Sequence, residues 1–401
     1  MKAVPTWKQR KLGELVERVT RKNKNLDSTL PLTISAQDGL VDQNEYFTKI
    51  VASRNVSNYY LLKKGEFAYN KSYSNGYPLG AVKRLEKYEK GILSTLYVVF
   101  NPTYVNSDFL AKYYDSTHWY HEVYKHAAEG VRNHGLLNIS PSDFFSTDLK
   151  VPKSYEEQSK IGIFINKLDN TIALHQEKLS KLQSLKKAAL QFLFPKKDEI
   201  EPKARFTNFN DIWKQRKLGD VTPLRGGSAF QSSQFKKTGI PIVRISNILS
   251  DGFVGGTYAY YQEQKSDEGY VLYDGAIILA MSGATTGKVA LLKDRTNKKF
   301  YQNQRVGYFT DLGIVDYSFI SIVVQSFLFN VQLKTVLVAG AQPNISSKEI
   351  NDFKFYFPIN KKEQAKIGAF FKKLETIILL YQTKLDKLQM LKSALLQKMF
   401  I

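Results

Sequence analysis

The residues best suited to chemistry sit in glycine-punctuated loops, so the first question is whether any of them can catalyse. Gly283-Ala284-Thr285-Thr286-Gly287-Lys288-Val289 has the ingredients of a phosphate loop. Nucleotide hydrolysis needs four residues between the glycines and a Ser or Thr after the lysine, whereas here there are three and then Val289. What remains is a turn that can offer backbone N–H groups and a lysine to a phosphate. Asn101-Pro102-Thr103-Tyr104 resembles the Asn-Pro-Pro-Tyr loop that holds an extruded base for amino methylation, but it lacks the second proline. No glycine-rich cofactor turn precedes it. His118, His121, His126 and His134 are four of the 5 histidines. His118 and His121 would share a helix face, yet the other two do not continue a ligand spacing and no carboxylate completes a shell. There is no Gly-x-Ser-x-Gly elbow, no paired carboxylate–lysine nuclease pattern, and, with 0 cysteines, no thiolate and no disulfide. The chain is expected to bind, and not to catalyse.

The binding chemistry is that of base edges and phosphates. Lys71-Ser72-Tyr73-Ser74-Asn75-Gly76-Tyr77 and Arg132-Asn133-His134 interleave cationic, amide, hydroxyl and aromatic side chains. The second half does the same with Arg244, Ser246 and Asn247, with Ser282, Thr285, Thr286 and Lys288, with Gln302, Gln304 and Arg305, and with Gln342. Arg, Asn and Gln can make bidentate contacts to purine edges, while Ser, Thr and Lys hold phosphates. The net charge of +21 is spread evenly, about +6 in 1–150, +4 in 151–205, +5 in 206–356 and +6 in 357–401. A chain cationic throughout is favoured near phosphates by counterion release.

The elements that must position these loops are duplicated. Trp7-Lys8-Gln9-Arg10-Lys11-Leu12-Gly13 returns unchanged as Trp213-Lys214-Gln215-Arg216-Lys217-Leu218-Gly219, 206 residues later. Asn138-Ile139-Ser140 returns as Asn344-Ile345-Ser346, and 152–194 aligns with 358–400 at 23 identities in 43 positions without a gap. Between these, roughly 20–130 and 225–335, the halves share almost nothing, as a common scaffold carrying two different readers would. Ile161, Ile165, Leu168, Ile172, His175, Leu179 and Leu182 alternate steps of four and three, and Ile367, Phe371, Leu374, Ile378, Tyr381, Leu385 and Leu388 repeat them. Two helices of about 38 residues, each about 57 Å long, should pack on one another as a coiled coil, with His175 and Tyr381 as packed amphipathic rings. The charged, proline-punctuated stretch Lys196–Lys203 closes the first half. The variable regions read as mixed α/β, with strands at Leu93–Phe100, Val271–Leu279 and Val289–Leu292 and helices over Ser107–Ala128 and Asp316–Val338. No stretch has signal-peptide or membrane-span length, so a cytoplasmic location is expected.

With the heptapeptide openings, the Glu157-Gln158 and Glu363-Gln364 helix starts, the loops at Asn70–Leu79, Arg132–Ser140 and Ser282–Val289, the sequence resembles a type I restriction-modification specificity subunit along nearly its whole length. That resemblance implies an α+β fold: two mixed α/β target-recognition domains, 1–150 and 206–356, joined through long conserved helices in 151–205 and 357–401. The helices would form an intramolecular antiparallel coiled coil with pseudo-two-fold symmetry. It further implies that each domain reads one half of a split double-stranded DNA site. Two adenine-N6 methyltransferase subunits and motor-nuclease subunits would be partners, with S-adenosylmethionine, ATP and Mg bound by them and no cofactor on this chain. The helices would then act as a ruler, so that removing four residues from each shortens the unread gap by about 6 Å, or about two base pairs. The rival readings are a stand-alone or architectural DNA-binding protein, which would need no methyltransferase, and a fused enzyme, either a nuclease or a methyltransferase whose activity would need Asn101 or Tyr104.

Overall fold

The computed structural model describes residues 7–47, 53, 55–74, 76–127, 132–133, 136–196, 199–294, 296, 298–338 and 344–400. It divides into two compact units, Met1–Glu177 with Thr383–Ile401, and Lys178–Gln382. The long helices Tyr155–Phe192 and Lys361–Lys398 each contribute to both.

In the first unit the heptapeptide forms the strand Trp7–Lys11, paired antiparallel with Asp148–Pro152. A four-stranded antiparallel sheet follows in the order Val16–Arg18, Val98–Pro102, Phe67–Asn70, Ala81–Arg84. Its apolar residues alternate onto a core in which Tyr69 stacks on Phe144 at 4.4 Å and Phe67 on Phe100 at 5.4 Å. Two further strand pairs, Leu32–Ser35 with Gly39–Asp42 and Tyr60–Lys63 with Lys90–Leu93, bury a smaller cluster.

The second unit repeats the scheme. Lys214–Lys217 pairs with Lys354–Phe357, and a four-stranded sheet runs Leu224–Arg225, Val306–Phe309, Ile277–Ala280, Val289–Leu291. It adds a second four-stranded sheet, Ala259–Tyr261, Ile240–Val243, Phe300–Gln302, Val271–Leu272. The expected strand Val271–Leu279 is therefore two strands in different sheets, broken where Gly275 adopts φ +84°. The expected long helices are likewise broken, into Ser107–Asp115 and Tyr120–His126, and into Tyr317–Val323 and Phe327–Val338. Among the described residues no single helix is long and apolar enough to cross a membrane.

The repeated residues turn out to be scaffold. Ser140 and Ser346 each cap a short helix, Pro141–Phe145 and Ser347–Asn351, in a reciprocal box with Asp143 and Glu349, while Ile139 and Ile345 are buried beside them. Leu12 and Leu218 are fully buried, and Trp213 is too, whereas the Lys and Arg residues between them face solvent. The heptads of the long helices bury Ile165, Leu168 and Ile172, and Ile367, Phe371 and Leu374. Within the first unit Glu157 and Ile161 lie beside Lys398 and Met399, and Asp169 meets Lys392 at 2.7 Å. Within the second Lys178 lies over the Tyr381 ring at 5.3 Å and Lys186 meets Glu375 at 2.7 Å. In each unit the two helices thus run antiparallel. His175 is half-buried, and its Nδ1 lies 2.8 Å from the Thr171 carbonyl.

Each core is closed by the tail of a long helix. Phe194 stacks on Phe319 at 5.5 Å beside Trp213 in the second unit. Phe400 packs against Phe109 and Tyr113 in the first, at 5.5 and 5.7 Å.

The grip of the helix starts on each sheet domain is to backbone. Gln158 accepts the Asn106 N–H at 2.8 Å and donates to the Pro152 carbonyl at 2.9 Å. Gln364 treats Asp316 and Pro358 identically, at 2.7 Å each. Asn106 and Asp316 in turn cap the helices they begin. One turn on, Gly162 and Gly368 let those caps approach: a Cβ on Gly162 would lie 2.8 Å from the Phe109 nitrogen, and one on Gly368 would overlap the Ser318 side chain. Alanine normally stabilises an exposed helix interior by about 1 kcal/mol over glycine. Here Gly162→Ala should instead destabilise by about 1–3 kcal/mol through overpacking, read as a lower urea midpoint. A raised midpoint would refute the close-approach role.

Burial pushes the Asp115 carboxyl up, but Lys83, Lys112 and Lys392 outweigh it and hold the group below its ordinary range. The stability this contributes is present above the ordinary Asp pKa and is lost as pH falls through the lowered folded value. Asp115→Asn should flatten the acid limb of a pH–stability curve; an unchanged limb would mean the cluster contributes nothing.

Candidate nucleic-acid interface

The variable loops leave equivalent edges of the repeated four-stranded sheet, one copy in each unit. In the first unit, residues 71–80 connect Phe67–Asn70 to Ala81–Arg84. Lys71 is tied at both ends, its carbonyl accepting the Leu137 N–H at 3.0 Å and its ammonium donating to the Ile139 carbonyl at 3.0 Å. The loop therefore lies against the Arg132–Asn133 and Leu136–Leu137 hairpin. Ser72 donates its N–H to Asn70 Oδ1 at 3.0 Å. Ser74 and Tyr77 close a tight turn over Gly76, which has φ +80° and suits only glycine there. Tyr73 and Ser74 are exposed, and Tyr77 rests half-buried on the smaller core. Of Arg132 and Asn133 the backbone alone is described, while Asn75, His134 and Gln342 lie outside the described residues.

In the second unit the corresponding connection is 281–288, between Ile277–Ala280 and Val289–Leu291. Met281 donates to the Arg305 carbonyl at 2.9 Å and accepts from Ile345 at 2.9 Å, while Asn303 donates to the Val243 carbonyl at 3.1 Å. Ser282 bridges to Asn344, and a Cβ on Gly283 would touch Ile245. Sequence-distant Arg244, Ser246, Ser282, Thr285, Thr286, Lys288, Gln304 and Arg305 thus share one corner. Ser246, Lys288, Gln304 and Arg305 are exposed there.

Three expectations are corrected. Gln302 is fully buried, donating to the Arg225 and Val306 carbonyls at 2.7 Å each, and cannot reach a base. Asn247 is buried, accepting from the Arg244 N–H and donating to the Gly255 and Thr257 carbonyls at 2.9 and 3.1 Å. The 283–287 turn does not cradle phosphate with the amides of Thr286, Gly287 and Lys288, because these donate inward to the Gly283, Ala280 and Thr285 carbonyls. The Lys288 side chain is what that turn presents.

Sequence reasoning missed Arg225. It lies over the Tyr308 ring at 5.0 Å and donates to Gln302 Oε1 at 3.1 Å, while its Nε is buried without a partner. Arg244 Nε and Thr285 Oγ1, in the same corner, are also buried without partners. Buried donors left unpaired mark places where a ligand can complete the bonding. The available signal was an arginine directly before Gly226-Gly227, where a Cβ on Gly227 would strike the Asn303 carbonyl.

His118 bonds to the Gln397 carbonyl at 3.1 Å and His126 to that of Glu122 at 2.9 Å, and no group of three or more His, Asp or Glu residues able to hold a metal occurs among the described residues. Asn101 pairs with Glu17 within the sheet, and Tyr104 is an exposed turn residue.

Comparison with known proteins fits this arrangement. Residues 210–390 match the family described as type I restriction modification DNA specificity domain. The specificity subunit of type I restriction enzyme MjaVIII from Methanocaldococcus jannaschii is 23% identical over 317 residues, covering 77% of this chain and 73% of that one. A type I restriction-modification S subunit from M. genitalium has the same fold, with TM-score 0.63 at 14% identity over 100% of this chain and 98% of that one. A chain from a structure on complex assembly and conformational transition of the type I R-M system gives TM-score 0.51 at 17% identity, over 99% and 98%.

Proposed function

We infer that the chain is a specificity subunit of a type I restriction-modification system, a member of the family whose DNA specificity domain matches its residues 210–390. On that premise each unit reads one half of a split, asymmetric DNA target, and the chemistry is done by other subunits. The observation that carries the reading is the equivalence of the two sheet edges. The same connection of the same four-stranded sheet bears Lys71–Tyr77 in one unit and Ser282–Lys288 in the other, on scaffolds that are otherwise repeated.

The partners follow from the family and from the helices. Leu174 and Leu185, eleven residues or about three turns apart, share a face, and Leu380 and Leu391 repeat them 206 residues on. All four are exposed. Twofold repetition of an exposed apolar face suits two copies of one partner, which we take to be adenine-N6 methyltransferase subunits, with motor-nuclease subunits joining for restriction. S-adenosylmethionine, ATP and Mg belong to those subunits, and the purified chain is expected to be inert with labelled S-adenosylmethionine.

The test separates base from phosphate contacts in the second unit. With the assembled methyltransferase, Arg305→Ala should cost about 1–3 kcal/mol and relax one half-site if Arg305 reads a base. Lys288→Ala should weaken all sequences alike and reduce the salt slope by about one. If neither variant alters affinity, salt slope or half-site preference, this corner is not the interface.

A further inference from the structure

The repeated heptapeptide is identical in both units although its middle faces solvent. Lys8, Gln9, Arg10 and Lys11 are exposed on the strand Trp7–Lys11, and Lys214, Gln215, Arg216 and Lys217 are exposed on Lys214–Lys217. Burial therefore does not hold these side chains fixed, as it holds Leu12 and Leu218. Common descent does not hold them either. Where the partner strand runs into the long helix, the surface stretch Lys153-Ser154-Tyr155-Glu156 stands against Ile359-Asn360-Lys361-Lys362, with all four residues changed.

Contacts within the fold do not fix the strip, because the two units use the same residues differently. In the first, Gln9 donates to Asp148 at 2.8 Å and Arg10 pairs with Glu14. In the second, Lys354 stands at the place of Asp148, and Lys217 pairs with Asp352 at 2.8 Å. Both ion pairs are exposed and cost little to rearrange. Among the described residues neither Lys8 nor Lys214 forms an ion pair. What keeps the four residues identical is then something outside the chain that both units meet alike.

The side-chain types decide what that is. A protein interface centres on apolar and aromatic groups and is depleted in lysine, whereas the strip is three cations and an amide. Lys, Arg and Gln are side chains that hold phosphates, and the phosphate backbone is the feature that two unlike half-sites share. The strip also lies close to the reading loops. Ile139 accepts the Lys71 ammonium, the five-residue helix Pro141–Phe145 spans about 7.5 Å, and Asp148 then stands opposite Lys11. In the second unit Ser282 bridges to Asn344, the helix Ser347–Asn351 follows, and Asp352 meets Lys217.

We propose that Lys8, Arg10 and Lys11 in one unit, and Lys214, Arg216 and Lys217 in the other, hold DNA phosphates beside each half-site and so add affinity that is blind to sequence. This rests on the DNA-reading assignment and adds to it a second, phosphate-only surface in each unit.

The full chain, assembled with methyltransferase subunits, is titrated with a duplex carrying the motif found by methylation mapping and with a scrambled duplex, across about 50–200 mM salt. The triple variant Lys8→Gln, Arg10→Gln, Lys11→Gln should lower the salt slope by about two to three and weaken both duplexes about tenfold or more. Half-site preference and subunit stoichiometry should stay intact. The triple Lys214→Gln, Arg216→Gln, Lys217→Gln should act equally, and Lys8→Arg with Lys11→Arg should retain the slope. Lys288→Ala separates the two claims. If it lowers the slope and the triples do not, the strip is off the DNA and the proposal is wrong while the reading stands. If none of them does, the DNA-reading assignment falls and takes the proposal with it. Triples that shed methyltransferase subunits at an unchanged slope would assign the strip to a partner protein and overturn it.

Discussion

Exchanging residues 20–135 for the corresponding stretch of a type I restriction-modification specificity subunit should change one half of the methylated target completely and leave the other half and the gap untouched. The physical reason lies in how the scaffold holds the variable region. Gln158 takes a backbone N–H, Gly162 faces backbone of residues 108 and 109, and the Leu15 carbonyl accepts the N–H groups of Thr103 and Tyr104. A donor segment brings the same backbone groups whatever its side chains, so the grip survives while the loops are replaced. The change should be all or none, because each lost base pair of recognition costs about 1–3 kcal/mol and a half-site comprises several. Methylation mapping of the chimera reads the result. Altered bases in both halves would sink the claim of separate readers.

Removing one heptad from each long helix should shorten the unread gap by about three base pairs with both half-sites kept. Seven residues span about 10 Å at 1.5 Å each, against 3.4 Å per base pair. Residues 174–180 and 379–385 are the matched choice, because they lie between the pairs Asp169–Lys392 and Lys186–Glu375. A heptad also turns each helix by only about 20° from whole turns, which keeps the remaining seam in register. The four-residue deletion suggested by helix rise alone would rotate the seam as well, and the seven-residue one isolates length. Retained methylation with an unchanged gap would remove the helices from the role of ruler.

The scaffold was legible in the sequence because repetition exposes it. Trp213, Leu218, Ser346 and the seam residues Ile367, Phe371, Leu374 and Leu385 stand at fixed displacement from their counterparts, and the structure buries or caps with them. The same logic did not reach the second sheet of the second unit, whose strands have no counterpart to align. The turn at Gly275 and the breaks after Asp115 and Val323 escape periodicity because they are short and apolar residues resume within a few positions, at Ala276, Trp119 and Phe327. Among the loop residues, chemistry alone misassigned Gln302 and Asn247. An amide that can read a purine can equally satisfy two or three backbone groups, and only burial separates the two uses. Arg225 was passed over because its neighbours in the corner, Gln302 and Tyr308, are distant in sequence.

The same accounting explains why the scaffold repeats so faithfully while the readers diverge. Gln158 and Gln364, Gly162 and Gly368, and Phe194 and Phe400 each meet the domain through backbone or packed aromatic contacts that admit little variation. The side chains of Lys288 and Arg305 are exposed and make none of those contacts.

The central claim, that one non-catalytic chain places two different readers on a split target, is tested most directly by genome-wide adenine-methylation mapping in cells expressing the chain with the methyltransferase subunit proposed as its partner. The account predicts a single motif made of two unlike specific halves separated by unread positions, absent when the chain is omitted. A palindromic or contiguous motif, or methylation that persists without the chain, would contradict it.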